Sequence, residues 1–224
     1  MADDLLAART FYRTWIVANG WSEALGLGTT FFIGGAVAPW LASRSSVETL
    51  LGAVAAVGLG TLLEGTVVGI AQGRVLEHAL PGFRLRAWVY ATMLGAGIAW
   101  LLGMVPSTAM ALSASEHAAA APAEPPALLR YGFAVLLSLV AGPVLGSAQW
   151  LVLRRHRRRA GLWLWANAAA WAVGMPLIFL GMELVPWERS GTGTAVAVYA
   201  VCGIAGLVVG AVHGRTLVRL VFGT

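Results

Sequence analysis

The chain has 224 residues, 58% of them hydrophobic and only 11% charged, with a mean hydropathy of +0.77. So little polar surface excludes a soluble globule of this size and makes a bilayer the natural solvent. The net charge of +5 would suggest nucleic acid in a soluble protein, but every basic residue is an arginine near the end of an apolar run, so nucleic acid is not an expected partner.

A membrane-spanning helix needs about 20 mostly apolar residues, at about 1.5 Å of rise each. The pattern predicts six spans, near 14–40, 47–73, 86–106, 128–153, 161–186 and 194–216. Barrel strands are excluded, because their alternating segments run to roughly ten residues and these runs are longer and apolar all round. The chain reads as one transmembrane domain, residues 1–224.

The first span follows Arg9 and Arg13 and contains Asn19 and Glu23. It ends in Ala36-Val37-Ala38, which is like a signal-peptidase site, but the run is too long and Glu23 interrupts it, so it is expected to be retained. The second span carries Glu64, then Gly65, Gly69 and Gln72, and a turn follows with Arg74, His78, Arg84 and Arg86. After the third span, residues 107–126 include Ala118 to Ala121, Pro122, Pro125 and Pro126, and read as a flexible external loop holding His117. The fourth span ends in Gly142, Gly146 and Gln149 and runs into Arg154, Arg155, His156, Arg157, Arg158 and Arg159. The fifth carries Asn167. The sixth ends in Gly206, Gly210 and His213, followed by Arg215 and Arg219, and holds Cys202, the one cysteine, so neither an intramolecular disulfide nor a thiolate metal cluster forms.

Twelve arginines fall on one side of this topology, and only Arg44, Arg130 and Arg189 on the other. The positive-inside rule then puts both termini in the cytoplasm, of a bacterial inner membrane on this reading. The run Arg154, Arg155, Arg157, Arg158 and Arg159 suits anionic lipid headgroups, at about 1 kcal/mol per charge near the surface. Trp15, Trp88, Trp150, Trp163 and Trp165 near the cytoplasmic ends, with Trp40 and Trp187 near the external ones, read as an aromatic belt. Trp21, Trp100 and Trp171 lie deeper, where packing is expected.

The pattern G-x-x-x-G-x-x-[Q/H] ends the second, fourth and sixth spans, each time with a leucine four residues on: Leu76, Leu153 and Leu217. The odd spans echo one another in Trp15, Ala18, Asn19 and Gly26 against Trp163, Ala166, Asn167 and Gly174, and less fully in Trp88 and Gly97. The expected fold is therefore all-α and polytopic: six transmembrane helices as three parallel helical-hairpin repeats about an axis along the membrane normal. Glycines four apart share a face and let backbones approach, which predicts close contacts among the even helices. The segment Gln149-Trp150-Leu151-Val152-Leu153-Arg154-Arg155, with Gly210-Ala211-Val212-His213-Gly214, resembles repeats of uncharacterised multi-span bacterial membrane proteins. That resemblance implies a fold and no activity.

Glu23 and Glu64 are the sharpest chemical signals, since a carboxylate in hydrocarbon costs a few kcal/mol and marks a partner or a pathway. Counting about 1.5 Å per residue puts them about 12 and about 15 Å deep, near enough to face each other, with Asn19 one turn before Glu23. Such a pair relays protons or binds a cation, or makes interhelical hydrogen bonds as two protonated acids. Gln72, Gln149 and His213, joined by Asn19 and Asn167, are expected as a polar layer near the cytoplasmic interface.

No cofactor or metal is expected: two histidines at matching depth for haem, H-E-x-x-H and a phosphate-cradling glycine loop are all missing. Ser147 and His213 on the fourth and sixth spans resemble the dyad arrangement of rhomboid-type proteases. Gly146-Ser147-Ala148 departs from that family's G-x-S-x spacing, however, and both residues lie near the cytoplasmic face, whereas that family's site opens outward. The functional expectation is a non-catalytic membrane subunit or scaffold binding lipids or other membrane proteins. The alternative is a small transporter or channel for protons, cations or a small solute, using Glu23 and Glu64.

Overall fold

The computed structural model describes residues 2–41, 45–116, 126–188 and 191–223. Among them the chain forms six long helices and no strand: α1 (Ala2–Leu41), α2 (Ser46–Ala79), α3 (Leu85–Glu116), α4 (Ala127–Leu153), α5 (Leu162–Glu183) and α6 (Thr192–Phe222). Arg44, Arg189, His117 and most of the proline-rich stretch, including Pro122 and Pro125, lie outside the described residues.

Local sequence sets the helix ends. The Glu48 carboxylate accepts the Ser45 backbone N–H at 2.9 Å, closing the first turn of α2. Pro81 cannot continue α2, and Gly82 takes a φ of +71° that side chains resist, so the chain reverses into α3 within five residues. Pro126 stands at the N-cap of α4, and Gly223 ends α6 in the left-handed conformation with its N–H on the Arg219 carbonyl.

One expected boundary is corrected. The segment from Ser107 to Glu116, read as the start of the external loop, continues α3 past Pro106. Its alanines, methionine and leucine favour helix, and Ser107 and Ser113 return their hydroxyls to the carbonyls of Gly103 and Ala109.

The outer surface of the bundle is apolar, and polar side chains are gathered inside. Leu128, Val54 and Val196 are 84%, 69% and 62% exposed, while Asn19, Gln149, Asn167 and His213 are at most 1% exposed. That inversion suits a lipid-facing surface. Helices α2 to α6 are each long and apolar enough to cross a membrane, by length and composition, and fit an integral membrane protein. Helix α1 is less apolar because Asn19, Ser22, Glu23 and Thr30 interrupt it, and all four are buried.

The helices pack in a closed ring, each on the next, with α6 returning along α1. The glycines define where backbones meet. A Cβ at Gly65 would lie 2.7 Å from Met93 Cα on α3, one at Gly142 2.7 Å from the Asn167 carbonyl on α5, and one at Gly206 2.6 Å from the Asn19 carbonyl on α1. Gly69 and Gly210 likewise face Val89 and Asn19, and Gly146 faces the Asn167 side chain. The expectation that these glycines join even helices to one another is thus overturned: each face admits the odd helix beside it.

The main core fills the arginine-rich end of the bundle, where Trp15, Leu76, Trp88, Leu153, Trp163 and Leu217 are all fully buried. A smaller cluster of Leu27, Ile178, Cys202 and Ala205 continues it toward the far end. There α4 is tied to α5 by Arg130 and Tyr131, both on Glu183, at 3.1 and 2.9 Å. The outer half of α2, Ser46–Leu59, buries no residue.

Candidate functional site

Three tryptophans are the base of the site. A buried indole N–H needs an acceptor, and each finds one in the polar residue that ends a glycine pattern. Trp88 donates to Gln72 Oε1 at 3.3 Å, Trp163 to Gln149 Oε1 at 3.0 Å, and Trp15 to His213 Nδ1 at 3.0 Å. The last bond fixes a neutral imidazole with its proton on Nε2, because an indole only donates. The Trp163 ring lies 5.9 Å from that of Trp15 and 6.1 Å from that of Trp88, edge-on or tilted, above the layer of Leu76, Leu153 and Leu217. The belt expectation therefore fails for Trp15, Trp88 and Trp163, which form a plug, while Trp165 at 74% exposure faces outward. A legible signal was the residue one turn on: Asn19, Thr92 and Asn167 each follow a plug tryptophan by four.

Those three residues make the next layer. Asn19 and Asn167 donate their amides, and Thr92 its hydroxyl, to the carbonyl of the tryptophan one turn back, at 2.7, 2.9 and 2.9 Å. Gln72 Nε2 then donates to Asn19 Oδ1 at 2.8 Å. Gln149 Nε2 donates to Gln72 Oε1 at 3.1 Å and to Thr92 Oγ1 at 3.0 Å. The structure thus brings together the polar layer read from the sequence, and adds Thr92, which sequence reasoning missed.

Glu23 and Glu64 lie beyond this layer, away from the plug. Both are buried, 3% and 7% exposed, and both line one central cavity of about 20 Å³ with Asn19, Gln72, Gln149 and His213. That is on the order of one water molecule. Glu64 Oε2 accepts the Trp100 indole N–H at 2.8 Å, whereas Glu23 Oε2 is buried with no hydrogen-bond partner.

The backbone makes room for this pair. A Cβ at Gly26 would meet Glu64 Cα at 2.9 Å, and one at Gly206 would meet Glu23 Cβ at 2.7 Å. Glu64 also ends a π-helical turn, Gly60–Glu64, which widens α2 where Gly60 receives the Trp100 ring. Such π turns within α-helices recur at functional sites. Among the described residues, no group of three or more His, Cys, Asp or Glu is arranged to hold a metal ion.

The remaining sequence candidates fall elsewhere. Of the arginine run, Arg157 donates to the carbonyls of His156 and Val221 at 3.0 and 3.2 Å, binding the α4–α5 turn to the end of α6, so it is not a free headgroup ligand. Arg154 lies over the Trp150 ring at 5.0 Å, and Arg155, Arg158 and Arg159 are exposed. His156 packs 5.6 Å from Phe83, and partial burial, then the charges of Arg157 and Arg155, hold its pKa below the ordinary imidazole value. Ser147 is exposed and donates to the Val144 carbonyl at 2.7 Å, while His213 is buried on Trp15, so the two form no dyad.

No protein-family model, no curated relative and no solved structure matches the chain.

Proposed function

We propose that this chain is a six-span integral membrane protein that binds and passes a proton or small cation at Glu23 and Glu64. The observation that carries this reading is the buried, unpartnered Glu23 Oε2 beside a second buried carboxyl. A buried polar atom that no protein group partners costs about 1 to 3 kcal/mol, and more for a charged group, a cost that a bound proton or cation offsets. The glycines and the π turn that accommodate the two side chains support the same reading.

The chemistry follows from the layers. Glu23 and Glu64 supply negative charge, Trp100 fixes one oxygen of Glu64, and the amides of Asn19, Gln72 and Gln149 bond one another, so the carboxyls are the groups to hold the ion. The tryptophan plug seals the arginine-rich end, so passage in that direction requires the Trp15 to His213 bond to open.

The finer topology is part of the proposal. With the arginines inside, both termini are cytoplasmic and the plug faces the cytoplasm of a bacterial inner membrane. The three tryptophan-to-[Gln/His] bonds and the three glycine faces support three repeats, the last formed by α6 with α1. Arg155, Arg158 and Arg159 then meet anionic headgroups.

Proton or cation flux into liposomes holding the purified chain tests the reading. Glu23→Gln and Glu64→Gln are each expected to abolish most of the flux. Flux unchanged in both variants refutes it. A scaffold that binds another membrane protein is the second reading, favoured by the outer half of α2, in which no residue is fully buried; stoichiometric capture of one protein, together with no flux, selects it.

A further inference from the structure

We propose that the ligand of the Glu23 and Glu64 site is the proton, exchanged from the Trp100 side of the bundle. This rests on the ion-site reading and narrows it.

A bare divalent cation takes about six oxygen ligands, whereas several oxygens around the cavity already accept hydrogen bonds from the protein. Gln72 Oε1 accepts from Trp88 and Gln149, Gln149 Oε1 from Trp163, Asn19 Oδ1 from Gln72, and Glu64 Oε2 from Trp100. Glu23 Oε2 stands unspent. The cavity of about 20 Å³ has no room for a cation that keeps its water shell. A proton needs one lone pair.

Charge balance agrees. No arginine lines the cavity. The titratable groups facing the two carboxyls are Cys202 and His213, both on α6; α3, α4 and α5 present Thr92, Gln149, Asn167 and Trp171, none of them ionisable. Two ionised carboxylates would therefore stand uncompensated in a buried site, and binding protons neutralises them.

The route follows from what is sealed. Trp15, Trp88, Trp163 and the three leucines packed with them are each fully buried and fill the centre of the bundle at the arginine-rich end. On the other side Glu64 is covered by Trp100, which is half-buried and seated on Gly60 of the π turn. A proton arriving there binds a Glu64 oxygen lone pair. Through one water, the Glu64 O–H is then broken as an O–H forms at Glu23 Oε2, and the water ends as it began. Trp100 acts as the lid by holding Glu64.

Infrared difference spectroscopy of the full chain in lipid nanodiscs tests this, titrating pH with and without sodium or potassium. The expected result is a protonated-carboxyl absorption that falls as pH rises and ignores both cations. Glu23→Gln and Glu64→Gln should each remove one component. If sodium or potassium at fixed pH removes the absorption, the ligand is a cation, and the proposal falls while the ion site stands. If neither pH nor cation changes it, both fall.

Trp100→Phe retains an aromatic side chain and removes the donor, and gives a readout independent of the glutamate variants. Hydrogen–deuterium exchange at the Glu64 carboxyl is expected to become at least about tenfold faster, the worth of one hydrogen bond. Unchanged exchange overturns the Trp100 route.

Discussion

Replacing Gly142 by alanine adds a methyl group where α4 meets α5. The new Cβ would lie 2.7 Å from the Asn167 carbonyl oxygen and 2.9 Å from the backbone N and Cα of Ala168. All three neighbours are backbone, so no rotamer change relieves the clash. Restoring an ordinary contact of about 3.4 Å moves the helices apart by roughly 0.7 Å, a gap that forfeits a quarter to a half of each dispersion well along the seam. In a bilayer that packing is the main force holding the helices together.

Overpacking of this kind costs about 1 to 3 kcal/mol, and backbone neighbours place it at the upper end. The gain of alanine over glycine in a helix, about 1 kcal/mol, leaves a net loss of roughly 2 kcal/mol. Gly132 on the same helix has nothing within 4 Å of its added methyl, so Gly132→Ala is expected to be neutral or stabilising by up to about 1 kcal/mol. At Gly146 the nearest atoms belong to the Asn167 side chain, at 3.1 to 3.3 Å, and the loss should be smaller than at Gly142. Steric-trap unfolding in bicelles reads these differences directly. Stabilities of Gly142→Ala and Gly132→Ala within about 0.5 kcal/mol of each other would refute the close seam.

Trp163→Phe strands Gln149 Oε1 in the core and is expected to destabilise by about 1 to 3 kcal/mol in the same assay, before any loss of packing. His213→Gln restores the residue type of the other two patterns, and its carbonyl can accept the Trp15 N–H; a cost below about 1 kcal/mol is expected, and a larger one means that the imidazole has a role the amide cannot fill. His156 has a folded pKa below its unfolded value, so between the two values the unfolded chain binds more protons. Stability should therefore rise with pH through the lower imidazole range, fall as pH drops from about 6.5, and lose this slope in His156→Asn.

Spacing along the chain carried depth but not direction. Counting residues put Glu23 and Glu64 at one level and Gln72, Gln149 and His213 at another, and these sets do meet, because rise along a helix is nearly constant. The same counting set Trp15, Trp88 and Trp163 near the helix ends, and misled, since depth does not say whether a ring faces lipid or core. The glycine spacing identified a face built for close approach, but its partner depends on the order of helices around the ring. The small residues from Ser107 onward read as loop by composition. As helix they bond their own backbone, a need that composition alone does not display.

The ring closes where the first helix written into the chain meets the last. Trp15 and His213 are 198 positions apart, so during synthesis α1 is made, with Asn19 and Glu23, while its main packing partner, α6, does not yet exist. Its polar groups must be sheltered meanwhile by water, by the insertion machinery or by α2. The bundle therefore completes its tryptophan plug in one late event of high contact order. A chain stalled before α6 holds a tryptophan without its acceptor and a carboxyl uncovered by Gly206, which makes an incomplete copy recognisable to the cell's quality control.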